Sequence, residues 1–399
     1  MEFDRTLHQA TKKSDWPTAL IVPCSNLMPS MMIATLGIAL PELRQSFAFS
    51  EIQAGGLFSV VMIVAAITSA IAGRLADKIG RKTVLITGLS LLALGFGAAG
   101  LTGNQLLFFF FLGVTGLGYG FTPPSLYAIM SDLLPNRRGL GASLVSVYYG
   151  IGGAIGAVLA SRLIGAFGWR SAFVTVGAIA IVDMLLQLYW IRDIRRSRSA
   201  AHSVSFRAVL SGPLLVLAVA EFIGGSVFWS SAAWTPTLLR TAKALTLQET
   251  GWIMGVLSMS NMVGSFLLGS LSDKLGRKRV IVFSALPAAA AAFVVFYWLA
   301  SPAWIGLGII VFGTLKASVP ALVVALAQEN APPGSAGTAS GMIMSLHYTA
   351  GVVAPLIVAR LITGIGDIVL AMVLVTSVPL VLYGCLIGAA RERARTEII

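Results

Sequence analysis

Apolar residues in this chain of 399 residues run in blocks of about twenty or more, parted by short polar or basic stretches. A hydrocarbon core about 30 Å thick is crossed by about 20 helical residues, so each block predicts one membrane-spanning helix. Twelve spans are expected, over residues 17–40, 51–75, 83–103, 105–132, 140–166, 170–191, 211–238, 248–272, 279–300, 302–328, 338–363 and 367–389. Little chain is left for an extramembrane domain.

Composition agrees with the pattern. The chain is 57% hydrophobic and 11% charged, against roughly 25% charged residues in a soluble domain; no soluble fold could cover that much apolar surface. A net charge of +12 would point to nucleic acid only if the basic residues lay on the solvent face of a soluble domain. Here most of them sit in the tails and in every second connection: Arg74, Lys78, Arg81 and Lys82 after span 2, Arg137 and Arg138 after span 4, Arg192 to Arg207 after span 6, and Lys274 to Arg279 after span 8. By the positive-inside rule this bias places both termini in the cytoplasm of a multi-pass protein of the cell (inner) membrane. Cys24 and Cys385 fall within predicted spans, so no structural disulfide is expected. Residues 1–16 read as a cytoplasmic tail followed by a retained first helix, not a signal peptide, and residues 390–399 as a second tail.

The chain repeats itself. Gly73-Arg74-Leu75-Ala76-Asp77-Lys78-Ile79-Gly80-Arg81-Lys82 after span 2 returns as Gly269-Ser270-Leu271-Ser272-Asp273-Lys274-Leu275-Gly276-Arg277-Lys278 after span 8. At nearly the same displacement Asp132 meets Glu329, and Arg162-Leu163-Ile164 meets Arg360-Leu361-Ile362. Residues 17–191 and 211–389 therefore read as two six-helix halves, joined by a basic cytoplasmic linker over 192–210. Parallel repeats of this kind put a solute path between the halves near the bilayer midplane. The expected fold is all-α and integral to the membrane, with twelve helices in two pseudo-symmetric halves around a central cavity.

The doubled Gly-x-Leu-x-Asp-Lys-x-Gly-Arg-Lys motif resembles the signature of the major facilitator superfamily, as do Pro135-Asn136-Arg137-Arg138-Gly139 and Gly168-Trp169-Arg170. The resemblance covers the whole chain and implies a monomeric secondary transporter, not an enzyme, with the lipid bilayer as its surroundings and no cofactor. It implies that Asp77, Arg81 and Asp132 form a charge cluster that latches the inner side shut at the start of span 11. By symmetry Asp273, Arg277 and Glu329 would latch against span 5. The plainer alternative is that all six are interfacial charges that only mark topology. Spans 1, 4, 7 and 10 would line the path, with 2, 5, 8 and 11 beside them.

Proton-coupled drug exporters of that superfamily carry an acid in span 1 ahead of Ala-Leu-Pro, an Arg in span 4 and a Gly-Pro in span 5. Here Ala39-Leu40-Pro41 follows Met31-Met32-Ile33-Ala34-Thr35 without an acid. No Arg precedes the run Gly116-Leu117-Gly118-Tyr119-Gly120, and span 5 reads Gly150-Ile151-Gly152-Gly153. Trp234-Thr235-Pro236-Thr237-Leu238 instead resembles the end of span 7 in organic-anion transporters of the superfamily.

Four ionisable residues fall deep within spans: Asp183, Glu221, Lys316 and His347. A charge there costs a few kcal/mol or more unless it faces a cavity or a partner. At 1.5 Å per residue, Glu221 lies roughly 15 Å into span 7, Lys316 roughly 21 Å into span 10 and His347 roughly 14 Å into span 11. Lys316 is the natural counter-charge for an anionic solute, and Glu221 and His347 are groups able to take and release the coupling proton. Two plainer readings stand beside these: a purely structural Lys316–Glu221 pair, and a histidine satisfied in a helix interface. Asp183, on an outer span, reads as structural. Tyr119 on span 4, Tyr149 on span 5, Asn26 on span 1, Trp229 on span 7 and Asn261 on span 8 complete a candidate solute site. The favoured reading is a proton-coupled carrier of a small organic anion, a carboxylate, working by alternating access. The alternative is a proton-coupled exporter of hydrophobic drugs or metabolites. Against a membrane enzyme stands the lack of any metal-ligand cluster, activated nucleophile or phosphate loop in the sequence.

Overall fold

The structure is a computed structural model that describes residues 16–134, 138–191, 212–317, 319, 321–331 and 336–390. The two tails, the basic linker and the Pro135-Asn136-Arg137 stretch lie outside the described residues, as do the side chains of Asp77 and Asp132.

All regular structure among the described residues is helical. Span 2 is Glu51–Ile79, span 3 Arg81–Leu101, span 4 Gln105–Leu133, span 5 Arg138–Phe167 and span 6 Trp169–Trp190. Span 7 is Gly212–Thr241, span 8 Leu247–Leu275, span 9 Arg277–Phe293 continued by a π turn over Val294–Trp298, span 11 Ala336–Ile365 and span 12 Ile368–Ala389. Several helices outrun the apolar blocks that predicted them, because a helix does not stop where the hydrocarbon does. Large apolar side chains such as Leu106, Phe167, Phe283 and Trp298 are exposed on the outside of the bundle, where a bilayer would cover them.

Two spans are broken. Span 1 begins as Trp16–Ile21, tightens into a 3-10 turn over Val22–Asn26, and resumes as Leu27–Phe47. Pro23 stands at the start of that turn and has no amide hydrogen to give to the preceding one. Span 10, expected as one helix over 302–328, is instead Pro302–Lys316 followed by Ala321–Asn330. Its first piece ends at Lys316, whose carbonyl accepts from the amide of Val319, 3.1 Å away. Continuing the α-helix would require a donor at position 320, which is proline. A break of this kind at membrane depth is tolerated where neighbouring helices or a cavity satisfy the freed backbone.

The internal repeat extends to backbone detail. Span 2 opens on a capping box in which Ser50 Oγ accepts from the Gln53 amide and Gln53 Oε1 accepts from the Ser50 amide. Span 8 opens on the same device with Thr246 and Glu249. Ala48 and Ala244, just ahead of those caps, are left-handed at φ 52° and 53°. At the other end of the same helices Gly80 and Gly276 turn the chain at φ 100° and 90°, so the second glycine of the doubled motif is needed for its positive φ. The halves meet where span 2 packs on span 11, span 5 on span 8 and span 1 on span 7.

Candidate functional site

Glu221 on span 7 and His347 on span 11 are both buried, and Glu221 Oε1 lies 2.8 Å from His347 Nδ1. The glycine pair Gly224-Gly225, one turn along span 7, makes this possible. A Cβ on Gly225 would stand 3.0 Å from His347 Nδ1, and one on Gly224 would stand 2.9 Å from Val319 in the break of span 10. Span 11 and the break of span 10 thus press onto span 7 beside its only acid. The second carboxylate oxygen, Glu221 Oε2, is buried and has no hydrogen-bond partner.

Aromatic rings enclose the pair. Phe228 and Trp229 lie 5.5 Å and 5.6 Å from the His347 ring. Trp229 Nε1 donates to the His347 carbonyl at 3.0 Å, so Trp229 positions His347 and does not offer its own polar edge to a solute. Tyr348, beside His347 in the chain, meets Tyr119 of the other half edge to face at 6.4 Å. The hydroxyls of Tyr119 and Tyr149 lie 3.1 Å apart. A continuous run of side chains therefore crosses the seam from span 5 through span 4 to spans 11 and 7.

Lys316 is 5% exposed, which at this depth decides its character. Its Nζ sits 4.8 Å from the centre of the Phe228 ring and 5.5 Å from that of Phe312. Such contacts offset part of the cost of a desolvated ammonium, by about 2 kcal/mol. Its position as the last residue of a half-helix adds the favourable carbonyl end of the helix dipole. No carboxylate pairs with it among the described residues. The structural Lys316–Glu221 pair considered from the sequence is therefore not formed: Glu221 has taken His347, and Phe228 stands against both Lys316 and His347.

The other expected residues divide. Asn26 Nδ2 donates to the Val145 carbonyl at 2.8 Å, tying the turn in span 1 to span 5. Tyr148 and Gln187 serve the same turn, donating to the carbonyls of Leu20 and Ile21 at 2.9 Å and 3.1 Å. Asn261 is half-buried on span 8, and its side chain makes no hydrogen bond among the described residues. In the second charge cluster Arg277 Nε lies 2.7 Å from Glu329 Oε1, with Asp273 at 3.7 Å from the same guanidinium. In the first, Arg81 donates to the Ala128 carbonyl at 2.6 Å.

One contact between the halves is not foreseen from the sequence. Arg240 at the end of span 7 forms an ion pair with Glu42 near the end of span 1, joining the two halves at the end of the bundle away from the doubled motif. Ser59 Oγ donates to the Val352 carbonyl at 2.6 Å between spans 2 and 11 on the same side. Glu42 and Arg240 look like ordinary interfacial charges in the sequence. A signal was available in the repeat, where Arg240 is the counterpart of Arg44, which pairs within its own half with Glu51 at 2.5 Å.

Comparisons with known proteins agree with this fold. A family model described as the Major Facilitator Superfamily matches residues 24–355. An uncharacterized transporter of Bacillus subtilis, YycB, is 25% identical over 403 residues, spanning 97% of this chain and 96% of its own. The 4-hydroxybenzoate transporter PcaK of Acinetobacter baylyi is 26% identical over 343 residues, 75% of this chain and 74% of its own. Among solved structures, a D-xylose-proton symporter superposes with a TM-score of 0.81 at 15% identity, covering 95% of this chain and 99% of its own, a likeness of fold alone. With its twelve spans in two halves and one copy of the doubled motif in each, this chain belongs to the Major Facilitator Superfamily, as a multi-pass membrane transporter.

Proposed function

We propose that the protein carries a small organic anion, a carboxylate, across the cell membrane together with a proton, by alternating access and with both termini in the cytoplasm. The observation that carries this reading is Lys316, a lysine buried at the break of a path helix, flanked by aromatic rings and without an acidic partner among the described residues. A solute carboxylate would supply the missing partner, and the rings would cover an apolar or aromatic body. The relative named for 4-hydroxybenzoate supports an organic acid as the solute class.

Coupling follows from charge balance. Unloaded and deprotonated, the site holds the Lys316 ammonium and the Glu221 carboxylate, which sum to zero. With a carboxylate solute on Lys316 and one proton added to the Glu221–His347 pair, the sum is again zero. A site holding solute without proton, or proton without solute, carries a net charge into a low-dielectric passage, which costs a few kcal/mol or more. Only the empty and the doubly loaded forms cross readily, which gives one proton per monovalent anion. The unpartnered Glu221 Oε2 is the place where that proton would arrive.

Proteoliposomes containing the full chain, offered labelled benzoate or 4-hydroxybenzoate under an inward proton gradient, test the proposal. Gradient-driven accumulation that Lys316→Ala abolishes is the expected result. Transport of a lipophilic cation such as ethidium with no uptake of either acid would replace it with the exporter reading.

A further inference from the structure

A second polar cluster lies in the first half, at the broken start of span 1. Asp183 on span 6 is 7% exposed, and Ser25 and Gln187 are fully buried. Gln187 Nε2 bridges Asp183 Oδ1 at 3.0 Å and the Ile21 carbonyl at 3.1 Å. The Ser25 hydroxyl stands beside the Asp183 carboxylate without completing a hydrogen bond to it. Three oxygens are left buried and without a partner: Asp183 Oδ2, Gln187 Oε1 and Ser25 Oγ. No Lys, Arg or His pairs with Asp183 among the described residues.

We propose that Ser25, Asp183 and Gln187 hold a single monovalent, oxygen-seeking cation of the sodium class, locking the turn of span 1 onto span 6. The donor set is all oxygen, as hard cations require. It carries one formal negative charge, so a monovalent ion leaves the site neutral while a divalent ion would leave an uncompensated charge at membrane depth. A proton on Asp183 could satisfy one further oxygen by one hydrogen bond. A cation in contact with all three would take a lone pair from each. At 1.5 Å per residue Asp183 lies roughly 10 Å from the end of span 6 that carries Trp190. The site is separate from Lys316 and Glu221 and stands whether or not the solute is an anion.

Thermal unfolding of the purified full chain in sodium, lithium, potassium or choline chloride, at fixed ionic strength and pH, is the test. The expected result is a saturable rise in Tm with sodium, on the order of 2 °C, that choline does not reproduce. Asp183→Asn should abolish that rise. Ser25→Ala should shift the midpoint of the sodium titration to higher concentration while leaving the Tm in choline near that of the parent protein, which keeps the test decisive if Asp183→Asn does not fold. A Tm indifferent to sodium but raised by lowering pH would overturn the proposal in favour of a bound proton. A sodium effect that survives Asp183→Asn would place the ion elsewhere and overturn it equally.

Discussion

Glu221 Oε1 and His347 Nδ1 lie 2.8 Å apart, between helices that are 126 residues apart in the chain. A carboxyl oxygen and a ring nitrogen at that distance share a proton whichever of them formally holds it. Glu221→Gln removes the exchangeable proton and keeps the shape. Exchange of solute across the membrane should persist in this variant, while uphill uptake driven by a pH gradient should be lost. A variant that still concentrates solute against its gradient would rule Glu221 out as the coupling site.

Lys316 makes a different demand. Because the hydrogen-bond partner of Glu221 is His347 and not Lys316, removing the lysine leaves that contact in place. Lys316→Ala should therefore weaken binding of a carboxylate solute roughly ten- to hundredfold, the worth of a hydrogen bond to a charged group, without a matching loss of Tm. Adding Glu221→Ala should restore neither binding nor transport. Recovery of transport in the double variant would show that the two residues act only as each other's counter-charge.

The ion pair of Glu42 with Arg240 joins spans 1 and 7 across the seam. Arg240→Ala should move the population away from the state in which that end is closed, and the charge exchange Glu42→Arg with Arg240→Glu should move it back. Distances between spin labels at the ends of spans 1 and 7 would report both shifts. Identical distance distributions in all three proteins would leave the pair without a gating role.

The helix caps allow a prediction of stability. Ser50→Ala removes the acceptor for the Gln53 amide at the start of span 2 and should cost about 1 kcal/mol. Thermal unfolding would show it as a lowered Tm, with solute affinity unaltered.

Topology is open to direct test as well. Single cysteines at positions 198 and 243 should react with an impermeant reagent from opposite sides of the membrane. Labelling of both from one side would refute the cytoplasmic placement of the termini.

Hydropathy alone determined the number of spans, and the doubled motif with its accompanying repeats determined that there are two halves. Both are local or periodic properties: a span is a run of about 20 apolar residues, and a repeat is visible wherever Gly80 and Gly276 must turn the chain alike. The depth of Glu221, Lys316 and His347 followed from counting residues along each helix. Their partners did not. A span that is apolar all round carries almost no signal of which face meets which neighbour, so the sequence could not tell whether Glu221 would face Lys316 or His347. Rotation of spans 7 and 11 about their axes, set by side-chain packing at Gly224, Gly225 and Trp229, made that choice. The break in span 10 and the Glu42–Arg240 contact were likewise settled only in three dimensions: in the sequence Pro320 is one of 16 prolines, and two charges on helices far apart in the chain become a pair only when the halves close on one another.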